Sequence, residues 1–126
     1  MAGDQKTVMI IEDEPDAAEL FAEMMRVSGF HVIKSSSSVS AMNLIDQQKP
    51  DVIILDIMMP EVSGLDILRD MRGNADLSQI PVVVVSAKGT PSDVREGLAS
   101  GASVYLTKPV GFAELINAVE RAWRDT

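Results

Sequence analysis

Three carboxylates, a hydroxyl and an ammonium stand at the ends of apolar runs in this chain. Val8-Met9-Ile10-Ile11 ends on Glu12-Asp13, and Val52-Ile53-Ile54-Leu55 ends on Asp56. Val82-Val83-Val84-Val85 ends on Ser86, and Val104-Tyr105-Leu106-Thr107 ends on Lys108. Continuous apolar runs rich in β-branched residues read as strands buried on both faces. In an open parallel α/β sheet, ligands bind beyond the carboxyl ends of the strands. The four runs therefore set Glu12, Asp13, Asp56, Ser86 and Lys108 along one rim. Carboxylates that share a site repel one another, which raises a pKa or demands a cation. An all-oxygen donor set with positions left for water suits Mg²⁺. A divalent ion and one ammonium would then offset the charge of the three carboxylates.

The elements between these runs must bring the rim together. Thr7 to Glu12 reads as the first strand, and Pro15 suits the first turn of a helix with Asp13 or Glu14 near its N-terminus. Ala17, Leu20, Phe21, Met24 and Met25 share a face at helical spacing, and Gly29 suits the C-terminal cap. Phe30 to Ile33 reads as a short second strand beside the first. The serine cluster Ser35 to Ser38 reads as a turn and helix cap, followed by Val39, Met42, Leu44 and Ile45 at roughly helical spacing. Lys49-Pro50 closes that helix, and Val52 to Leu55 forms the central strand. A helix with Leu65, Leu68 and Met71 inward runs to Gly73-Asn74. Pro81 precedes the fourth strand. Thr90 or Ser92 caps a helix carrying Val94 and Leu98, which stops at Gly101. Tyr105 lies in the fifth strand, and Pro109 and Gly111 separate it from the last helix. There Phe112, Leu115, Ile116, Val119 and Trp123 recur at i, i+3, i+4, i+7 and i+11. Five βα units with right-handed crossovers predict an α/β fold with helices on both sheet faces. The expected architecture is flavodoxin-like and doubly wound, with a five-stranded parallel sheet of order 2-1-3-4-5.

Each site residue also has a plain structural reading. Asp56 alone could form a turn or cap a helix, and Glu12-Asp13 could serve as a cap with charge that complements a helix dipole. Ser86 could be a turn hydroxyl and Lys108 a solvated surface group. Burying three carboxylates without a nearby cation would be costly, however, and the set as a whole favours a functional site. The valines before Ser86, the face ending in Trp123 and the methionines after Pro15 are assigned to the core.

In order along the chain, Glu12-Asp13, Asp56 before Met59-Pro60, Gly64, Ser86-Ala87 and Tyr105-Leu106-Thr107-Lys108-Pro109 resemble the receiver domains of two-component response regulators, such as the chemotaxis regulator. The resemblance runs from about Lys6 to Arg124. It implies that Asp56 accepts a phosphoryl group from a histidine kinase or phosphotransfer protein, with Asp13 and Asp56 binding Mg²⁺ directly. Glu12 would act partly through water, and the backbone carbonyl of Met58 would complete the protein's share. Lys108 would neutralise charge on the phosphoryl oxygens, and Ser86 would hydrogen-bond one of them. Tyr105 resembles the family's switch aromatic, turning inward as Ser86 moves toward the phosphoryl group. A cis Lys108–Pro109 bond is also implied. The chain departs from the pattern in four places. Glu12 replaces a common Asp, Ser86 replaces the more usual Thr, Met58 is apolar and Lys88 cationic. Met58 is expected to hinder the hydrolytic water and prolong the phosphorylated state. Ser103 and Val104 lack the acidic groups that support pairing through the last two helices, which argues against that dimer, although Arg95 and Glu96 remain possible interface charges.

The 126 residues, 46% hydrophobic and 24% charged, suffice for one domain, expected to span 1–126 with a folded core of about 6–124. The net charge of −8 argues against direct nucleic-acid binding. The chain has no cysteine, no apolar start and no run near the ~20 residues of a membrane span, so a cytoplasmic protein is expected. A downstream protein partner is expected, and no turnover enzyme. The alternatives are a Mg²⁺-dependent aspartyl-phosphate phosphohydrolase and a non-phosphorylated interaction module. The former lacks a second acid/base carboxylate where Met58 stands, and the latter conflicts with the intact polar set. Met1 precedes a short lead, which favours a complete regulator over a receiver cut from a longer chain.

Overall fold

The structure, a computed structural model, describes residues 5–124. The lead before Gln5 and the last two residues, on which the expectation of a complete chain rests, lie outside the described residues. Strands and helices alternate: β1 (Thr7–Ile11), α1 (Pro15–Val27), β2 (His31–Ser35), α2 (Ser38–Gln48), β3 (Val52–Asp56), α3 (Gly64–Arg72), β4 (Val82–Ser86), α4 (Pro91–Ala99), β5 (Val104–Thr107) and α5 (Phe112–Arg124). All strands are parallel, in the order β2-β1-β3-β4-β5, as the alternation predicts. β1 stops one residue before the expected end, and β2 starts at His31 and runs on to Ser35.

Residues of β1, β3 and β4 alternate between two cores. Val8, Ile10, Ile54, Val83 and Val85 pack under α1 and α5 with Phe21, Met25, Leu115 and Val119. Met9, Ile11, Ile53, Leu55, Val82 and Val84 pack against Ala41, Ile45, Leu68 and Met71 from α2 and α3. The period of two along a strand requires this division. Burying one such side chain contributes roughly 1.5–3 kcal/mol, whereas an exposed, solvent-screened ion pair such as Arg26–Glu23 adds little. The apolar strands therefore hold the rim in place.

The helix starts follow local chemistry. Ser37 caps α2, Ser63 caps α3, and Thr90 forms a reciprocal capping box with Asp93 at α4. α1 begins at Pro15 without a side-chain cap. Two inward assignments are corrected: Leu20 is 55% exposed and Phe112 47%. Leu98, named in the α4 pattern, is 46% exposed. Ala18, Phe21, Ala22 and Met25 form the buried stripe of α1, and of α4 only Gly97 is buried. Periodicity identifies residues that share a face but not the line along which that face meets the sheet. Val39, expected in the α2 pattern, is also exposed.

Candidate functional site

Strand register brings the rim residues level. Ile11 pairs with Leu55, Asp56 with Val85, and Ser86 with Thr107. Glu12 therefore follows β1 level with Asp56 at the end of β3. Ser86 lies one step further on β4, and Lys108, immediately after β5, one step beyond that. Carboxylate oxygens of Glu12, Asp13 and Asp56 all lie within 4.8 Å of one another. Lys108 Nζ donates to Glu12 Oε1 at 2.9 Å and to Asp56 Oδ2 at 3.2 Å. The other oxygens are also engaged: Asp56 Oδ1 accepts from the Met58 N–H at 2.8 Å, and Glu12 Oε2 accepts from the Glu14 N–H at 3.2 Å.

Glu12 and Asp56 are buried, while Asp13 and Lys108 are half-buried. Burial raises the Glu12 pKa, and the Lys108 hydrogen bond only partly opposes the rise. Burial opposes the Lys108 charge, yet the bond to Glu12 and the charge of Asp56 hold its pKa above the ordinary value. One ammonium facing three carboxylates leaves negative charge uncompensated. The oxygen-only donor set fits a small divalent cation.

The remaining predicted residues adjoin this cluster. Ser86 is fully buried, and its Oγ accepts from the Lys88 N–H at 3.1 Å. Its carbonyl accepts from the Lys108 N–H at 2.8 Å, tying β4 to the Lys108–Pro109 peptide, which is cis as implied. The Tyr105 hydroxyl donates to the Lys88 carbonyl at 2.6 Å. Burial raises the Tyr105 pKa, and the Ser86 hydroxyl pulls it the other way. The ring lies on α4, where a Cβ on Gly97 would stand 2.5 Å from Tyr105 Cδ2. Gly97 escaped the sequence reading, although a lone glycine inside a helical pattern often marks close packing. Gly64 is needed for a similar reason, since a Cβ there would meet Ile57 Cα at 2.5 Å. The Met58 side chain is 49% exposed. Of the two possible interface charges, Glu96 is engaged by Arg69 at 3.6 Å.

The family model described as the response regulator receiver domain matches residues 8–120. The chain belongs to the response regulator receiver family. The polar-differentiation response regulator DivK of Brucella ovis is 34% identical over 118 residues, covering 91% of this chain and 94% of DivK. The probable transcriptional regulatory protein TcrX of Mycobacterium tuberculosis is 33% identical over 124 residues, covering 98% of this chain but 52% of TcrX. The chain thus spans about half of one relative and nearly all of the other. The receiver domain of the Francisella response regulator 1452 superposes with a TM-score of 0.89 at 29% identity, covering 96% of this chain and 98% of that one. This receiver is therefore a two-component signalling module, with an acidic cluster able to hold a metal ion. Among the described residues, no helix is long and apolar enough to cross a membrane.

Proposed function

We propose that this receiver accepts a phosphoryl group on Asp56 from a histidine kinase or phosphotransfer protein and thereby changes its affinity for a downstream protein. The observation that carries this reading is the convergence of Asp56, Glu12 and Asp13 around Lys108, with Lys108 Nζ 3.2 Å from Asp56 Oδ2. Asp13 and Asp56 would hold Mg²⁺ directly, with Glu12 partly through water and the Met58 carbonyl completing the set. The bound ion would supply positive charge for the phosphoryl oxygens. An Asp56 oxygen forms the new bond to phosphorus while the bond from phosphorus to the donor breaks, and the donor keeps that electron pair. The Met58 N–H and Lys108 hold the carboxylate in orientation, and Lys108 follows the charge onto the phosphoryl oxygens. Ser86 donates its hydroxyl to one phosphoryl oxygen, and Tyr105 changes its seat on α4 in response. This is stoichiometric signalling by one receiver unit with a folded core of about 6–124, and not turnover of a small substrate.

A groove of about 420 Å³ beside Lys108, lined by Ala17, Leu20, Phe21, Pro109 and Val110, supports approach of a protein donor. The charge of −8 disfavours direct nucleic-acid binding. Ser103, whose Oγ accepts from the Val82 N–H at 3.2 Å, cannot supply an ion pair for a dimer through α4, β5 and α5. A cytoplasmic setting suits a kinase-fed module. Incubation with acetyl phosphate and Mg²⁺ tests the reading. It should label the protein once per chain, and Asp56→Asn should abolish the label. Many turnovers would instead indicate a phosphohydrolase, and an unlabelled wild-type protein would indicate a plain interaction module.

A further inference from the structure

The loop 57–63 that follows Asp56 carries Met58 and ends on Ser63, the cap of α3. Its middle is a three-residue turn in which the Val62 N–H donates to the Pro60 carbonyl at 2.9 Å. Glu61, between them, has φ 71. A three-residue turn with a positive central φ is rare and strained, more so at a residue with a Cβ. Such a turn persists only where its surroundings hold it.

Ser38 holds it. Its Oγ donates to the Pro60 carbonyl at 2.8 Å and accepts from the Val62 N–H at 3.2 Å. One hydroxyl thus bridges both ends of the strained turn. Ser38 is the first residue of α2 and is 4% exposed. Its hydroxyl is free for this task because Ser37 caps the helix, accepting from the Ser40 N–H at 3.4 Å. The base of the loop is held separately: the Gly64 N–H donates to the Ile57 carbonyl at 3.2 Å, and the Met58 N–H reaches Asp56. The loop is therefore fixed at its base by β3 and α3 and at its apex by α2.

We propose that Ser38 is a positioning residue of the site: its hydroxyl clamps the Pro60–Glu61–Val62 turn and so keeps the Met58 backbone at the acceptor carboxylate. This rests on the phosphoacceptor reading above and adds to it a group that touches neither the phosphoryl group nor the ion. Outer groups that orient a metal site typically change its affinity by about 10-fold or more when removed.

The test compares wild-type protein, Ser38→Ala, and Ser38→Ala combined with Glu61→Gly. Three quantities are read: Val62 amide exchange in metal-free protein, the Mg²⁺ dissociation constant from NMR titration, and labelling by acetyl phosphate. Ser38→Ala should speed Val62 exchange and weaken Mg²⁺ by about 10-fold, with labelling recovered at higher Mg²⁺. Adding Glu61→Gly, which adopts positive φ without a Cβ penalty, should restore most of the Mg²⁺ affinity. Unchanged Val62 exchange and Mg²⁺ affinity in Ser38→Ala, or no restoration by Glu61→Gly, overturns the proposal. If Ser38→Ala does not fold, the wild-type protein decides: a Ser38 hydroxyl proton slow enough in solvent exchange to detect supports the clamp, and a fast one refutes it. If wild-type protein takes no label, the phosphoacceptor reading falls, while exchange and Mg²⁺ binding still judge Ser38.

Discussion

Met58 offers the Asp56 carboxylate its backbone N–H while its side chain stands half in solvent two residues further along. A thioether can neither orient nor deprotonate water, so the phosphorylated state should be long-lived. Met58→Asn would place an amide there that can align the attacking water. The expected result is dephosphorylation about 10-fold faster, equivalent to ~1.4 kcal/mol of barrier, read as loss of label after donor removal. An unchanged rate would remove Met58 from the account. The residues at this scale that sequence made legible are those whose chemistry breaks an apolar run: Glu12, Asp13, Asp56, Ser86 and Lys108. Ser38 was legible only as part of a serine cluster with capping character. Nothing local distinguishes the cap, Ser37, from its neighbour, whose partners lie 22 and 24 residues away.

Among the elements, α3 is joined to its neighbours by Arg72. The guanidinium donates to the Gly101 carbonyl at 3.0 and 2.8 Å, to Ser78 at 3.1 Å and to Ile80 at 2.7 Å. Burial lowers its pKa, and its hydrogen bonds tie the end of α3 to the segment before β4 and to the turn after α4. Gly101, at φ 118, stops α4 as expected, and a Cβ there would meet Arg72 Cγ at 2.6 Å. Arg72→Lys keeps the charge but loses the planar fork. It should leave carbonyls unpaired and cost about 1–3 kcal/mol, read as a lower urea midpoint; an unmoved midpoint would refute the role. The order and type of all ten elements were legible because apolar runs, helical periods and Gly or Pro stops agree along the chain. The seating of α4 was not. The pattern named Val94 and Leu98 but not Gly97, the one buried residue of the helix, which lies where the Tyr105 ring occupies the space a larger side chain would need.

For the molecule as a whole, the acidic rim links stability to pH and to metal. Glu12 has its pKa raised above 4.5 by burial, so the folded chain binds that proton more tightly than the unfolded chain. Stability without metal should therefore fall as pH rises from 4.5 through the raised value. Lys108 acts at the other end: with its pKa raised, its contribution is present below 10.5 and fades as pH climbs through the folded value. Thermal unfolding across the acidic window should show the decline in wild-type protein and a flatter profile in Glu12→Gln. Mg²⁺, which needs the carboxylate form, should raise the midpoint more at about pH 7 than at about pH 5. An identical slope in Glu12→Gln would assign the effect elsewhere.

The in-register pairing of β1, β3, β4 and β5 has one more consequence. A slip of a single residue between neighbours would turn every side chain of that strand to the opposite layer. The acidic trio and its ammonium would be scattered, and a misthreaded copy would be chemically mute instead of falsely active.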